Sequence, residues 1–325
     1  MTPETSTVTA PAGSSTRQRL EQKRAAGGEA QSFSLPQRLR GYLDALVFAF
    51  LLAMFIRSFV FELFMIPTGS MTPTLVGDVA GEAAFLDYDG DGIPDVVYTF
   101  NAGGVHFNRL QVFLMNEDGT YRDLIFVENV DRGLVAEIAA QSPQRRDMII
   151  VNKFAYWFRQ PDRGDIAVFK VPDRPDPQAP DGRSIFHPEK PVYIKRVVGK
   201  PGETVVLPPM ETIPVGPNDP NRVSNRLGGV ELHLQHQPVV VDGEPLRGGR
   251  FDDLIYFPRP QSGRPYPTPA DDPTVEEVPP DGVLMLGDNS ASSSDGRYWG
   301  DVPVSHLRGK AVLRYAPFDA FGFLR

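Results

Sequence analysis

The sequence contains no cysteine among its 325 residues. This absence excludes disulfide bonds, thiol nucleophiles and cysteine-ligated metal sites, so any nucleophile must be a hydroxyl or another side chain. Positive charge is also scarce, because 33 lysines and arginines face 41 aspartates and glutamates, for a formal net charge of -8. Basic residues cluster only in the N-terminal tail, and nucleic acid is therefore not expected as a partner.

Long apolar runs are limited to one stretch, residues 41–64, which reaches the ~20 residues that a helix needs to span a bilayer. We predict a transmembrane helix there, with Asp44 near one end and Arg57 and Glu62 near the other, where long charged side chains reach the interface. Residues 1–40 predict a disordered basic tail, cytoplasmic by the positive-inside rule. A buried helix of a soluble protein is the alternative.

Residues 65–325 show few helical patterns and many turn residues. The whole chain holds 32 prolines and 30 glycines, which is typical of short strands joined by loops. We therefore predict a mostly β fold, with one extracytoplasmic β domain following a single N-terminal transmembrane helix.

A serine between glycine and methionine, with prolines on both sides, follows the apolar stretch. It is Ser70, in the decapeptide 66–75, and we interpret it as a nucleophile. A proline and glycine turn that leaves the membrane segment is the alternative. A serine hydroxyl needs a base within hydrogen-bond reach to be reactive at neutral pH.

Lys195 is the candidate base, because it lies in the apolar stretch 193–198. Burial of an amine lowers its pKa from ~10.4 by as much as 3–5 units, which leaves a usable neutral fraction. An exposed strand lysine is the alternative, since lysines are rarely buried. The adjacent Arg196 would point to the opposite face of the strand and could pair with a carboxylate such as Asp288.

Five blocks of sequence, in this order behind an apolar segment, resemble the bacterial type I signal peptidases, a family of serine endopeptidases with a Ser-Lys dyad. The blocks cover about a third of the chain and are residues 66–75, 152–156, 163–169, 193–203 and 287–297. The resemblance implies a signal-peptidase-like β catalytic domain, anchored in the bacterial inner membrane, that removes signal peptides from secreted preproteins near the export translocon. It implies no cofactor for catalysis.

The same resemblance assigns roles to individual residues. Ser70 and Lys195 would form the dyad, Ser293 would orient the amine, and the Ser70 N–H and the Thr68 hydroxyl would form the oxyanion hole. The residues expected to support the site are Asp288, Asp295, Arg297 and Arg196. Those expected to bind the extended end of the signal peptide by strand addition are Phe64, Ile66, Pro67 and Thr68. The last block departs from its commonest form at Ser290 and Gly296.

Two segments fall outside these blocks. Residues 79–147 are interpreted as an insertion, and residues 203–282 as an accessory β subdomain. Within the insertion, alternating carboxylates end in a glycine turn, an arrangement that gathers oxygen ligands around a hard cation; they are Asp87, Asp89, Asp91 and Asp95. This pattern predicts structural calcium, although Tyr98 stands where a complete EF-hand loop has glutamate. An acidic hairpin turn is the alternative.

Two other functions remain open at this stage. One is a non-enzymatic, membrane-anchored surface protein that binds a partner through the calcium loop and the β segments. The other is a processing protease of the same fold with a narrow client. The presence of every expected catalytic residue type argues against the first, and the sequence does not separate the second from a general signal peptidase.

Overall fold

The computed structural model describes residues 35–77, 83–102, 105–170, 192–224, 226–259 and 272–324. The chain divides into two compact units, Met1–Met54 and Phe55–Arg325. Helix α1, Leu35–Phe55, lies in the first unit except for its last residue, and one π-helical turn, Ile56–Val60, follows it. Within the described ranges, one helical stretch of 22 residues, Leu39–Val60, is long and apolar enough to cross a membrane, and none of its side chains is buried by the protein.

The predicted helix boundaries were wrong at both ends. Residues 35–40, assigned to the disordered tail, are helical, and the rest of that tail lies outside the described residues. The helix also stops before Phe64, because Phe61–Met65 is a β-strand whose backbone pairs with Met148–Asn152. The pairing overrides the helical preference of this apolar stretch, since it satisfies the backbone groups in a sheet instead.

The second unit is mostly β, as the composition predicted. Its strands are β1 Phe61–Met65, β2 Ala83–Leu86, β3 Asp95–Ala102, β4 Val105–Met115, β5 Tyr121–Glu128, β6 Met148–Asn152, β7 Ile166–Phe169, β8 Tyr193–Gly199, β9 Thr204–Leu207, β10 Glu211–Val215, β11 Val230–Gln235, β12 Val240–Val241, β13 Glu244–Pro245, β14 Thr274–Glu277, β15 Gly282–Leu286, β16 Val302–Pro303, β17 Leu307–Ala316 and β18 Gly322–Phe323. Its helices are α2 Arg132–Ala140 and α3 Gly296–Trp299. Two 3-10 turns, Gly69–Met71 and Ser290–Ser292, complete the elements used below.

These strands form three sheets. The first sheet has eight strands in the order β1-β6-β17-β7-β8-β15-β16, with β18 pairing β17. The second sheet has six strands in the order β10-β11-β5-β4-β3-β2, and the third has four, β13-β12-β9-β14. The first sheet carries Lys195 on β8 and ends at β1, which leads to the Ser70 turn.

The second sheet corrects the predicted division into an insertion and a separate accessory subdomain. Strand β11, from the 203–282 segment, pairs with β5 of the insertion, with Leu232 opposite Phe126. Strand β10 continues the sheet beyond β11, whereas β9, β12, β13 and β14 form the third sheet. The 203–282 segment is thus shared between two sheets, because β11 pairs with β5 on one side and with β10 on the other.

Alternation along the inserted strands gives the second sheet two apolar faces. One face, which includes Tyr98 and Phe126, packs into a core with Val198, Leu284 and Leu286 of the first sheet. The opposite face is covered by α2, which begins where the Asp131 carboxylate accepts hydrogen bonds from the Gly133 and Leu134 N–H groups. Such an N-cap satisfies backbone donors that a helix start leaves free.

Candidate active site

The Ser70 turn is held tightly at both ends. Before it, the Ile66 N–H donates to the Asp147 carbonyl at 2.9 Å, which continues the pairing of β1. After it, the Leu75 N–H donates to the Met71 carbonyl at 2.9 Å, and both side chains are fully buried. Ser70 itself is 9% exposed. The apolar residues flanking the serine therefore fix its backbone, and Ser70 keeps only a small exposed fraction.

Lys195 brings its amine to this serine. Its strand lies between β7 and β15, so the residue is only 2% exposed. The Nζ atom lies 2.7 Å from Ser70 Oγ and donates to the Ile194 carbonyl at 2.9 Å. Burial lowers the pKa of Lys195 to about 8, although the charges of Asp295 and Asp288 act in the opposite direction. An amine with this pKa is partly neutral near neutral pH and can take a proton from the hydroxyl.

Thr68 lies next to the serine on its exposed side. Its Oγ1 is 3.5 Å from Ser70 Oγ, and the residue is exposed. The backbone is extended at Thr68 and enters the 3-10 turn at Gly69. The threonine hydroxyl and the Ser70 N–H come from residues two positions apart in the chain, and their assignment to the oxyanion hole stays a prediction.

Ser293 does not make the hydrogen bond to the lysine that the resemblance implied. Within the described residues its Oγ is buried and has no hydrogen-bond partner. The side chain lies over Gly287, where an added methyl group would overlap it and would stand 2.5 Å from the Ser70 carbonyl oxygen. The absence of a side chain at Gly287 thus allows both the Ser293 hydroxyl and the serine turn to pack against this residue.

The ion pair predicted between Arg196 and Asp288 is present and fully buried. Arg196 donates from Nε to Oδ1 at 2.9 Å and from Nη2 to Oδ2 at 2.7 Å, and neither side chain has exposed surface. The Tyr256 hydroxyl also donates to Asp288, at 3.2 Å. This bidentate pair joins β8 to the segment after β15, so it fixes the strand of Lys195 relative to the Ser293 block.

A second buried pair, between Arg297 and Asp295, orders the last block. Arg297 Nε donates to Asp295 Oδ1 at 2.8 Å, and Asp295 Oδ2 accepts from the Gly287 N–H at 3.0 Å. The two departures from the commonest form of the block have clear roles. Ser290 Oγ accepts from Arg297 Nη1 at 2.8 Å and from the Phe257 N–H at 2.9 Å. Gly296 has no room for a side chain, since a Cβ would lie 2.6 Å from Leu284.

Asn289 is a site residue that sequence reasoning did not assign. Its Nδ2 donates to the Gly69 carbonyl at 3.1 Å and its N–H donates to the Ser70 carbonyl at 3.2 Å. The signal was its place in the last block, directly after Asp288. Asn289 ties that block to the serine turn through two hydrogen bonds, one from its side chain and one from its backbone.

The segment expected to bind peptide begins on β1, the terminal strand of the first sheet. Phe64 is half-buried and Ile66 is buried, whereas Pro67 and Thr68 are exposed. In the described part of the chain β1 pairs with β6 alone. Its other side leads along residues 64–68 to Ser70, which is the geometry for adding an extended peptide as a further strand.

The acidic loop gathers only part of the predicted calcium set. Carboxylate oxygens of Asp87, Asp89 and Asp95 lie within 4.8 Å of one another. Asp95 also accepts from the Tyr88 and Met115 N–H groups, at 2.8 Å each. Asp91 is outside that group and pairs with Arg122, which also pairs with Asp89. Arg122 thus supplies positive charge to two of the four aspartates, and calcium binding stays a prediction.

Comparison with known proteins gives a family match over most of the chain. The model of a family described as signal peptidase, peptidase S26, matches residues 39–92, 136–212 and 226–316. Between these matched ranges, residues 93–135 and 213–225 are unmatched, and the first of these gaps is shorter than the predicted 79–147 insertion. Both internal gaps belong to or adjoin strands of the second sheet.

Individual relatives are similar at modest identity. The signal peptidase I of Leptolyngbya laminosa is 32% identical over 178 residues, which is 55% of this chain and 64% of that protein. The probable signal peptidase I-2 of Synechocystis sp. is 30% identical over 181 residues, 56% of this chain and 60% of that protein. The chain thus spans less than two thirds of either relative. A crystal structure of a signal peptidase I from Enterococcus faecalis V583 aligns with a TM-score of 0.23 at 20% identity, covering 47% of this chain and 97% of that one.

Proposed function

Because this chain belongs to the signal peptidase family, peptidase S26, we propose that it is a membrane-anchored serine endopeptidase that removes signal peptides from exported preproteins. The observation that carries the proposal is the 2.7 Å contact between Lys195 Nζ and Ser70 Oγ in a buried niche. A non-enzymatic surface protein would have no need of a buried amine beside a serine hydroxyl, since burial of such a group is costly.

In the proposed reaction, the neutral Lys195 amine takes the proton from Ser70 as its Oγ attacks the carbonyl carbon of the scissile peptide. The Ser70 N–H and the Thr68 hydroxyl donate to the resulting oxyanion. When the tetrahedral intermediate collapses, the C–N bond breaks and the lysine gives its proton to the leaving amine, which leaves an ester on Ser70. Water then attacks the ester, with Lys195 again as base, and releases the signal peptide as a carboxylic acid.

The supporting residues hold the two residues of the dyad in position. The Arg196–Asp288 pair holds the lysine strand against the last block, and the Arg297–Asp295 pair orders that block internally. We assign Ser293 to orienting the amine, which requires its hydroxyl to turn from its present direction beside Gly287 toward Lys195. No cofactor enters these steps.

The substrate is proposed to be the extended end of a signal peptide, added to β1 along Phe64, Ile66, Pro67 and Thr68. Small side chains near the scissile bond fit because the serine turn is closely packed, with Ser70 only 9% exposed. Helix α1 would span the bacterial inner membrane, with the N-terminus in the cytoplasm and residues 65–325 outside, near the translocon. Phe61, Leu63 and Met65, exposed on one face of β1, are suited to contact with lipid.

We expect purified enzyme in detergent to cleave a preprotein whose signal peptide ends in a small-x-small sequence. A matched preprotein with phenylalanine in place of the residue before the scissile bond should be cut at least about 100-fold more slowly, because a bulky side chain does not fit a shallow pocket. Mass spectrometry of the products gives the site of cleavage. Ser70→Ala enzyme prepared in the same way controls for contaminating proteases. Equal cleavage of both preproteins, or cleavage by Ser70→Ala, would contradict the proposal.

The pH dependence of kcat/KM should reveal the pKa of the buried Lys195 amine. Below pH 8 the ammonium form of Lys195 dominates, since its pKa is lowered to about 8, and an ammonium cannot accept the serine proton. The value of kcat/KM should therefore rise about tenfold per pH unit up to about pH 8 and then level off. The measurement is kcat/KM from pH 6 to pH 9.5 with a peptide lacking titratable groups near the scissile bond. A profile that is flat across this range would exclude a lysine base with this pKa.

A further inference from the structure

The second sheet makes direct contact with the serine turn. Tyr98, on β3, places its ring against Gly69, the residue before Ser70. A methyl group added at Gly69 would lie 2.4 Å from Cε2 of the ring and 2.9 Å from its Cζ and hydroxyl oxygen. The tyrosine is only 4% exposed. Its ring thus fills the space behind the turn, and the absence of a side chain at Gly69 is what allows this approach.

Neighbouring residues hold both partners of the contact between the Tyr98 ring and Gly69. Within the second sheet, Tyr98 lies opposite Gln111, which in turn lies opposite Phe126, and its ring meets Phe100 edge to face at 5.7 Å. The Asn289 amide also donates to the Gly69 carbonyl. The serine turn therefore contacts both the Tyr98 ring and Asn289, and movement of the turn would require one of these to shift.

A second link runs from the same sheet to the buried ion pair. The Tyr121 hydroxyl, on β5, accepts a hydrogen bond from the Ile255 N–H at 2.9 Å. The next two residues reach the last block, since Tyr256 donates to Asp288 and the Phe257 N–H donates to Ser290. The second sheet thus touches both halves of the site, the serine turn through Tyr98 and the Asp288 block through residues 255–257.

We propose that the second sheet is part of the catalytic apparatus and that Tyr98 is a positioning residue, whose ring fixes the Ser70 turn at the distance from Lys195 that proton transfer requires. Tyr98 lies in the stretch 93–135 that the family model leaves unmatched, so this support comes from residues added to the common pattern. The inference rests on the proposed function, because it concerns the same dyad. It predicts an effect on turnover rather than on peptide binding, since Tyr98 is buried behind the turn.

The test compares Tyr98→Ala, Tyr98→Phe and a control, Val97→Ala. Val97 is the neighbouring residue of β3, fully buried in the opposite face of the sheet, so its truncation removes core packing without touching Gly69. Tyr98→Ala should lower kcat about 10- to 100-fold with KM changed less than about twofold, because small misplacements of reacting groups cost factors of this size. Tyr98→Phe keeps the ring and should retain kcat within about twofold. Val97→Ala should lower the unfolding temperature but leave kcat unchanged.

A double-mutant cycle tests the contact itself. Gly69→Ala should reduce kcat strongly in the wild-type background, because its methyl group meets the ring. In the Tyr98→Ala background the same change should cost at least about fivefold less, since contacting residues are coupled. Additive effects, or a folded Tyr98→Ala enzyme with unchanged kcat, would overturn the inference.

If Tyr98→Phe lost as much activity as Tyr98→Ala, the inference that the ring positions the serine turn would also be overturned. If Tyr98→Ala does not fold, as judged by thermal unfolding, Tyr98→Leu replaces it in both comparisons. Failure of the proposed function is distinguishable, because then the wild-type chain would show no Ser70-dependent cleavage at all. An active wild type with an equally active Tyr98→Ala overturns this inference alone.

Discussion

Replacing Lys195 with methionine should lower kcat/KM for a signal-peptide substrate about 10⁴-fold or more, a loss comparable to removing one member of a serine protease triad. Methionine has nearly the length of lysine and is apolar, so it can occupy a position that is 2% exposed. What it lacks is the amine 2.7 Å from Ser70 Oγ. Without that base the hydroxyl keeps its proton at neutral pH and attacks the carbonyl slowly.

The matched control is Lys200→Met, five residues further along the chain. Lys200 has a side chain that is 40% exposed and lies 3.9 Å from Asp162, so its loss should leave kcat/KM within about twofold. Unfolding temperatures of both variants show whether each is folded. Residual cleavage by a folded Lys195→Met enzyme at more than a hundredth of the wild-type rate would mean that another group accepts the serine proton.

Asp288→Ala should reduce the free energy of unfolding by about 3–5 kcal/mol, because it leaves the buried Arg196 charge without its carboxylate. Neither side chain of the pair has exposed surface, so solvent cannot replace the lost partner. The measurement is urea denaturation of the full chain in detergent, followed by tryptophan fluorescence. Lys200→Ala, which breaks an exposed pair, should change the same free energy by less than about 1 kcal/mol.

A double variant, Arg196→Met with Asp288→Leu, separates charge from packing. It removes both charges and keeps apolar volume, so it should recover a large part of the stability that Asp288→Ala loses. A double variant as unstable as Asp288→Ala would show that the loss comes from the packing of the Asp288 side chain and its bond from Tyr256, and not from an unpaired arginine.

The local chemistry of the site could be predicted from the sequence because each piece is encoded by near neighbours. The apolar residues around Lys195 predicted a buried amine, and alternation along the strand placed Arg196 on the other face, where it pairs with Asp288. The mostly β fold followed from the abundance of proline and glycine. These features depend on composition and on a period of two residues, both visible without knowledge of the fold.

Features that depend on competing pairings could not be predicted in this way. Residues 61–65 are apolar enough for a helix, and only their pairing with β6 makes them a strand. Helix α2 was missed, although the Asp131 cap and the apolar spacing of Val135 and Ile138 were visible signals. The direction of the Ser293 hydroxyl depends on rotamer packing over Gly287, which no sequence pattern reports.

The arrangement of the strands into sheets was the feature that the sequence predicted least well. Joining β11 to β5 brings together residues about a hundred positions apart, and no local pattern distinguishes this pairing from a hairpin confined to the accessory segment. The contact between Tyr98 and Gly69 could not be predicted either, because it also joins segments that are distant in the sequence. The alternation that puts Val96, Tyr98 and Phe100 on one face of β3 was visible, but it gave no indication of what that face covers.

The pairing of β11 with β5 also constrains how this protein can be shortened. Trimming residues 93–135 to match the family pattern would strip β11 of its partner along Val230–His233 and leave a row of unsatisfied N–H and C=O groups. Such a row is a template for association with another chain. A shortened enzyme would therefore have to lose the β10–β11 hairpin as well, because that hairpin depends on β5 for its pairing.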